Sequence, residues 1–249
     1  MTKFSILVSQ IIDTFRPYMR AYCQFEASAF FGGVLETLDI PIFNNPQKEE
    51  RAELKAFQLK CAVATGMKIP DTLMTNNPED VRNFYNKHKG GVIFKMFASL
   101  PGPTVGTRRL ELSHFEHLNL LANAPVLFQE EIPPNRDIRV TVVGDRIFAG
   151  ESRSKLLDWR TDSELTWKKH ELPERIGKRI LKLMSLLGLQ FGSLDFRVAP
   201  NDDYIFLEVN PNGQFLFLEI DDERLQISRA FADFLVSAAT GPRKGDATQ

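Results

Sequence analysis

At 249 residues, with 43% hydrophobic and 25% charged side chains, the chain is long enough for one large domain or two small ones around a sizeable core. A formal net charge of -1 gives no global attraction to nucleic acid or to an anionic membrane. Cys23 and Cys61 are too few for a disulfide framework and lack the spacing of a zinc site, so the cytoplasm is the default location.

The start, Met1 to Phe15, contains apolar residues, but Ser9-Gln10 and Asp13 interrupt them and no small-residue cleavage site follows. This predicts neither a signal peptide nor a membrane span. Ala52 to Thr65 reads as a helix stopped near Gly66. A second helix is expected from Pro78 to about Lys87, with Asn77 as cap, proline at the first helical position and Glu79-Asp80 in the first turn. After Gly90-Gly91, Val92 to Phe97 reads as a buried strand with Lys95 in its middle. A lysine in so apolar a run needs an anion or a water-filled cleft for its ammonium, and the loop Pro101 to Thr107 carries two glycines. Lys95 plus backbone amides of that loop suit a phosphate clamp; the alternative is an edge-strand lysine that blocks aggregation. His114 and His117 have i,i+3 spacing on an expected helix but no third ligand nearby.

Leu127 to Ile132, Ile138 to Val143 and Ile147 to Gly150 read as strands, the last two joined by a tight Gly144-Asp145 hairpin. Between the first two, Gln129-Glu130-Glu131-Ile132-Pro133-Pro134 is an interlobe crossing whose backbone can face an adenine edge, with Asp137 close enough to accept from ribose hydroxyls. Arg139 shares a strand face with Thr141; it can reach phosphate from there, or be an ordinary surface arginine. Asp158-Trp159-Arg160 follows Glu151 to Lys155, and these cations can hold phosphates or an acceptor carboxylate, or Trp159 can anchor a surface loop. Pro173 to Leu187 is the clearest helix: Ile176, Ile180, Leu183, Met184 and Leu187 form one stripe, and Gly188 ends it.

The most informative stretch comes last. Leu194-Asp195-Phe196 and Phe206-Leu207-Glu208-Val209-Asn210-Pro211 flank the turn Pro200 to Asp203. With Asn201-Asp202 at the centre of the turn, Asp195 faces Glu208, and Asn210 shares their face while Leu207 and Val209 point into a core. Two carboxylates and one amide oxygen are hard donors suited to magnesium, which shares its shell with water and nucleotide phosphates. Gly241 to Gln249 reads as a frayed polar tail. Helices interleaved with antiparallel hairpins argue an α+β fold in two lobes with a cleft.

With the lysine helix, lysine strand, glycine loop, hinge and final hairpin in this order, the chain resembles an ATP-grasp ligase. Within that superfamily it is most similar to the microviridin-type peptide maturases, the graspetide synthetases. The resemblance covers about residue 20 to about residue 238. It is carried by Ala52 to Leu59, Ile69 to Pro78, Phe128 to Pro133, Asp137 to Gly144, Asp158-Trp159-Arg160 and Phe206 to Gln214. It implies an ATP-grasp fold with residues 47–126 as the amino-terminal lobe, 127–240 as the carboxy-terminal lobe and 241–249 as the tail. Residues 1–46 match only the end of a pre-ATP-grasp domain, so a homodimer or a partner chain supplying that lobe is the corresponding expectation.

The resemblance further implies ATP and Mg2+ as cofactors. Lys55 and Lys95 would contact phosphates, Glu130, Glu131 and Ile132 would hold adenine, and Asp137 would take the ribose. Arg139 and Arg160 would act at the transferred phosphoryl group, and Asp195, Glu208 and Asn210 would ligate the metal. The implied reaction makes an acyl phosphate from a carboxylate, then an ester or amide crosslink in a ribosomally made precursor peptide. A ligase joining an amino acid or small amine to a small-molecule carboxylate, and an ATP-binding partner subunit with little activity of its own, are the alternatives; neither nucleic acid nor membrane is an expected partner. Ser193 stands where many ATP-grasp enzymes have an arginine, with Arg197 on the same face as a substitute.

Overall fold

The computed structural model describes residues 3–38, 40–97, 106–133 and 136–240. Residues 101–105 of the glycine loop, Pro134 of the crossing and the tail at 241–249 therefore lie outside the described residues. The chain divides into two compact units, Met1–Pro41 and Ile42–Gln249. The first contains one helix, α1 (Lys3–Thr37). Among the described residues no helix is long and apolar enough to cross a membrane.

The second unit runs α2 (Pro46–Glu53), α3 (Lys55–Ala64), β1 (Thr72–Thr75), α4 (Pro78–Lys87), β2 (Val92–Lys95), β3 (Arg108–Arg109), β4 (Val126–Glu130), β5 (Arg136–Val143), β6 (Arg146–Ser152), β7 (Lys168–Lys169), α5 (Glu174–Leu187), β8 (Phe191–Val198), β9 (Tyr204–Asn210), α6 (Leu216–Asp221) and α7 (Ile227–Thr240). Two antiparallel sheets result, with orders β1-β4-β2-β3 and β7-β6-β5-β8-β9. The expected lobe boundary at 126/127 falls inside the first sheet. β4 pairs with both β1 and β2, so the crossing between sheets begins only after Glu130.

Local chemistry accounts for the helices. Asn77 caps α4 by accepting from Glu79 N–H at 3.0 Å, with Pro78 behind it. The five-residue stripe of α5 is buried, and Gly188 takes the left-handed conformation (φ 74°) that closes it. That stripe packs on the inward residues of the large sheet: Ile138, Val140 and Val142 of β5, Leu194 and Phe196 of β8, and Phe206 and Val209 of β9. The helix expected over Ala52 to Thr65 is broken in two. Leu54 is extended (φ -66°, ψ 103°), so α3 starts afresh at Lys55 with that side chain in its first turn. His114 and His117 lie on a 3-10 helix, Leu112–Asn123, where His114 Nδ1 accepts Glu111 N–H at 3.0 Å.

The other face of the large sheet is also covered. Trp167, Leu218, Leu225 and Ile227 form a core there with Trp159 and Phe217 against it. Polar residues on that face, Asp137, Arg139, Thr141, Ser193, Asp195 and Arg197, are therefore buried and must satisfy one another.

Candidate functional site

The β8–β9 hairpin closes through a three-residue turn rather than the expected two-residue centre. Ala199 N–H reaches Asp203 O at 2.9 Å, and Asp202 is left-handed (φ 61°). From Val198↔Tyr204 to Phe196↔Phe206 the strands run one residue out of the expected register. A bulge after Phe206 restores it, so that Asp195 pairs with Glu208 and Ser193 with Asn210. Leu207 is the extra residue. It therefore leaves the core expected for it and lines the cleft on the same side as Glu208, while Val209 stays buried.

β5 lies against β8 so that two Asp-x-Arg segments, Asp137-Ile138-Arg139 and Asp195-Phe196-Arg197, meet antiparallel. Asp137 faces Arg197 and Arg139 faces Asp195. Two buried, oppositely oriented ion pairs follow from one register. Arg139 Nη1 donates to both Asp195 oxygens at 2.8 and 2.9 Å, while its Nε and Nη2 donate to Gln214 O at 3.3 and 2.9 Å. Arg139 is thus committed to Asp195 and the turn after Asn210, rather than directed at the cleft. Arg197 Nε donates to Asp137 Oδ1 at 2.9 Å. Its remaining nitrogens reach Ile132 O and Leu157 O, each at 3.2 Å, and so tie the interlobe crossing to the Asp158-Trp159-Arg160 segment. Asp137, expected at a ribose, is 1% exposed behind Arg197, and its Oδ2 has no hydrogen-bond partner among the described residues. Burial pushes the Asp137 carboxyl upward against the pull of Arg197.

One cleft is lined by Pro70, Ile93, Lys95, Glu130, Ile132, Leu157, Arg160, Asp195, Arg197, Leu207 and Glu208, among others. Lys55 reaches it from the start of α3, with Nζ 2.9 Å from Glu208 Oε2. Arg160 forks onto Asp158 at 2.8 and 2.7 Å and lies 3.8 Å from Glu208 Oε1. Burial works to raise the Glu208 carboxyl, but Lys55, Lys95 and Arg160 outweigh it and hold it at about 2. Burial pushes Asp195 upward, Arg139 opposes this, and the charge of Glu208 adds to it. Desolvation lowers the Lys95 ammonium; Glu208 resists that shift while Lys55 and Arg160 reinforce it. Among the described residues the Lys95 ammonium has no ion-pair or hydrogen-bond partner.

Of the predicted hinge residues, Glu130 and Ile132 line the cleft. The Glu131 carboxylate instead holds Arg109 at 2.7 and 2.8 Å, and its N–H is taken by Gly91 O at 2.9 Å. Asn210 stands beside Asp195, its Nδ2 donating to Asp195 Oδ2 at 3.4 Å. Asp195, Glu208 and Asn210 can each offer an oxygen donor, and Asp195 and Glu208 bring two carboxylates to one place. The chemistry fits a hard divalent cation such as magnesium.

Residues 52–230 match the RimK-like ATP-grasp domain. The chain belongs to that family. Two solved structures extend the match. The macrocyclase MdnC from Microcystis aeruginosa MRC, bound with precursor peptide MdnA, superposes with a TM-score of 0.80 at 34% identity, covering 88% of this chain and 72% of that one. A Chryseobacterium gregarium RiPP-associated ATP-grasp ligase, in complex with ADP and a leader and core peptide, gives 0.81 at 30%, covering 96% and 75%. The resemblance to peptide-modifying ATP-grasp ligases read from the motifs therefore holds. Alpha-aminoadipate--LysW ligase LysX of Sulfurisphaera tokodaii is 27% identical over 186 residues, 71% of this chain, and the chain spans 65% of that protein's length.

For this ATP-grasp chain, motif reading missed Gln58, Leu157 and the cleft position of Leu207. Gln58 had a signal: it stands three residues after Lys55, one helical turn away and on the same face. Ser193 is fixed by packing, since a Cβ on Gly213 would lie 2.4 Å from Ser193 Cβ and 3.0 Å from Arg139 Nη2. Gly213→Ala should destabilise the fold by about 1–3 kcal/mol through overpacking. Combined with Ser193→Gly it should cost less than the two single changes summed, as urea unfolding of the four forms will measure. A second expectation concerns acid. Because Glu208 sits at about 2, below its ordinary 4.5, its ionised form stabilises the fold above pH 4.5 and that contribution is lost as the pH falls toward 2. Glu208→Gln should lack this segment of the acid-unfolding curve.

Proposed function

We propose that the chain is an ATP- and magnesium-dependent, ADP-forming ligase that activates a carboxylate of a ribosomally made precursor peptide and closes ester or amide crosslinks within it. The observation that carries this reading is the unpartnered ammonium of Lys95, facing the same cleft as Lys55, Arg160, Asp195 and Glu208. A partly desolvated lysine among other cations is a site for a polyanion. Ile93, Ile132 and Leu207 supply an apolar slot for a base next to it. The complexes of the two peptide-modifying relatives, one with a precursor peptide and the other with ADP and a leader and core peptide, support the same substrate classes here.

In this reading Lys55, Lys95 and Arg160 neutralise the phosphates, with Arg160 aimed by Asp158. Asp195, Glu208 and Asn210 would hold magnesium, which supplies charge neutralisation at the transferred phosphoryl group. Arg139 holds Asp195 in place, and Asp137 holds Arg197 across the crossing and the Asp158-Trp159-Arg160 segment. A substrate carboxylate oxygen attacks the γ-phosphorus and the bond to the β-phosphate oxygen breaks, releasing ADP. A peptide hydroxyl or amine then attacks the acyl carbon, phosphate departs with the bonding pair, and the nucleophile's proton goes to solvent. The chain's contribution is positioning and charge stabilisation.

Lys95→Met should lower nucleotide affinity or turnover by about tenfold to a hundredfold, the loss of one charge-assisted contact of ~1.5–3 kcal/mol. Lys87→Met should change neither, because the Lys87 side chain is 64% exposed and its ammonium is engaged with Asp71 outside the cleft. Equal small effects from both would return Lys95 to an edge-strand role.

Mass spectrometry of an acidic precursor peptide incubated with the chain, ATP and magnesium should show ADP and successive losses of water. The similarity to LysX favours one second reading, transfer of a free amino acid, which adds a residue's mass instead. AMP as product contradicts both readings.

A further inference from the structure

β9 is the outermost strand of the large sheet, and among the described residues its outer backbone edge has no neighbouring strand beyond an isolated parallel bridge of Lys68 with Ile205. In that bridge Phe206 N–H donates to Lys68 O at 2.9 Å. At Val209 the partner is a side chain: Gln58 Oε1 accepts Val209 N–H at 3.1 Å, and Gln58 Nε2 donates to Val209 O at 2.9 Å. The second Nε2 hydrogen goes to Ala52 O at 2.6 Å, and Gln58 as a whole is 3% exposed. One primary amide thus supplies the paired donor and acceptor that an antiparallel strand would offer at that residue. The peptide it holds lies between Glu208 and Asn210. Its helix, α3, also carries Lys55, whose ammonium reaches Glu208.

We propose that Gln58 is a positioning residue for the oxygen set: by standing in for a missing strand at Val209, it fixes the spacing of Glu208 and Asn210 and so sets divalent-cation affinity without touching metal or nucleotide. The inference rests on the function proposed above. Only an amide fits the role. A carboxylate at position 58 still accepts from Val209 N–H but faces Val209 O with a second acceptor, and a thioether pairs with neither group. A peptide group left unpaired in this buried setting would turn toward any available partner and carry its two flanking side chains with it.

The test uses the full chain with saturating ADP and Mn2+ as the probe, read by electron paramagnetic resonance. Thermal melting and metal-free ADP binding in EDTA are followed in parallel. Gln58→Glu and Gln58→Met should each weaken Mn2+ binding by about tenfold or more, the scale for residues that orient metal ligands, and should broaden the bound spectrum. Metal-free ADP binding should be unchanged. Should Gln58→Met not fold, Gln58→Glu, of nearly the same size, carries the test. Wild-type Mn2+ binding that Glu208→Gln abolishes, together with unaffected Gln58 variants, overturns the inference alone. Equal weakening of Mn2+ and metal-free ADP binding also overturns it, reducing Gln58 to general support of α3. A wild type that binds no Mn2+ in the presence of ADP, or a Glu208→Gln variant that binds as wild type does, removes the metal reading and this inference with it.

Discussion

Two carboxylates on facing strands, Asp195 buried and Glu208 partly so, repel each other, and they persist together only because cations are brought to them from both sheets. Arg139 arrives from the neighbouring strand, Lys55 from the first turn of α3, Arg160 from the 3-10 turn Trp159–Thr161, and Lys95 from the far end of β2. None of these elements is adjacent to another in the chain. Their convergence gives the break at Leu54 and the coverage of the sheet's second face a common purpose. The distribution is uneven. Arg139 is spent on Asp195 and Lys55 on Glu208, Arg160 is shared with Asp158, and Lys95 remains over. A cluster that ends with one ammonium in excess is prepared for a polyanion whose own charge completes the balance.

What could be read from sequence followed how local the determining interaction is. The α5 stripe, the Asn77 cap and the Gly144-Asp145 hairpin depend on residues a few positions apart, and the structure has them where periodicity and capping rules put them. The opposition of Asp195 and Glu208 was also legible, although by a different route. A three-residue turn and a one-residue bulge displace the register in opposite senses and cancel. The cancellation hid the bulge, and with it the side on which Leu207 lies. The break at Leu54 was invisible because the residues around it are good helix formers; the need for Lys55 to reach a strand far along the chain overrides propensity there. α1 had no clean apolar stripe and carries Pro17 within its span, so pattern reading assigned it no structure.

The surroundings of Asp137 and Arg139 differ from those their own strand suggests, and the reason is topological. Both were read from their own strand, whose alternation correctly separates them from Ile138, Val140 and Val142. What they face depends on β8 being the neighbour of β5, which only the sheet order discloses. Given that neighbour, the repeated Asp-x-Arg spacing becomes a self-complementary code: antiparallel alignment sets acid against base at both positions, whereas a slip of one residue either way sets Asp137, Arg139 and Asp195 against apolar side chains. The two pairs thus specify register as well as satisfying buried charge, and Arg197 extends the same order outward to the crossing and to Leu157.

The bulge at Leu207 gives the hairpin an arithmetic of its own. Upstream of it the paired residue numbers sum to 402, as in Val198 with Tyr204, and at the ligand end to 403, as in Asp195 with Glu208. The length of the distal turn is thereby coupled to a distortion several residues away. At constant chain length, a turn re-formed on Asn201 and Asp202 alone would run at 403 throughout and keep the oxygen donors aligned only by surrendering the bulge, which would send Leu207 back into the core and take an apolar wall from the cleft. Relatives that keep the spacing between the two carboxylates but close the hairpin on two residues are then expected to floor the pocket differently, so that turn type becomes a readable proxy for pocket shape.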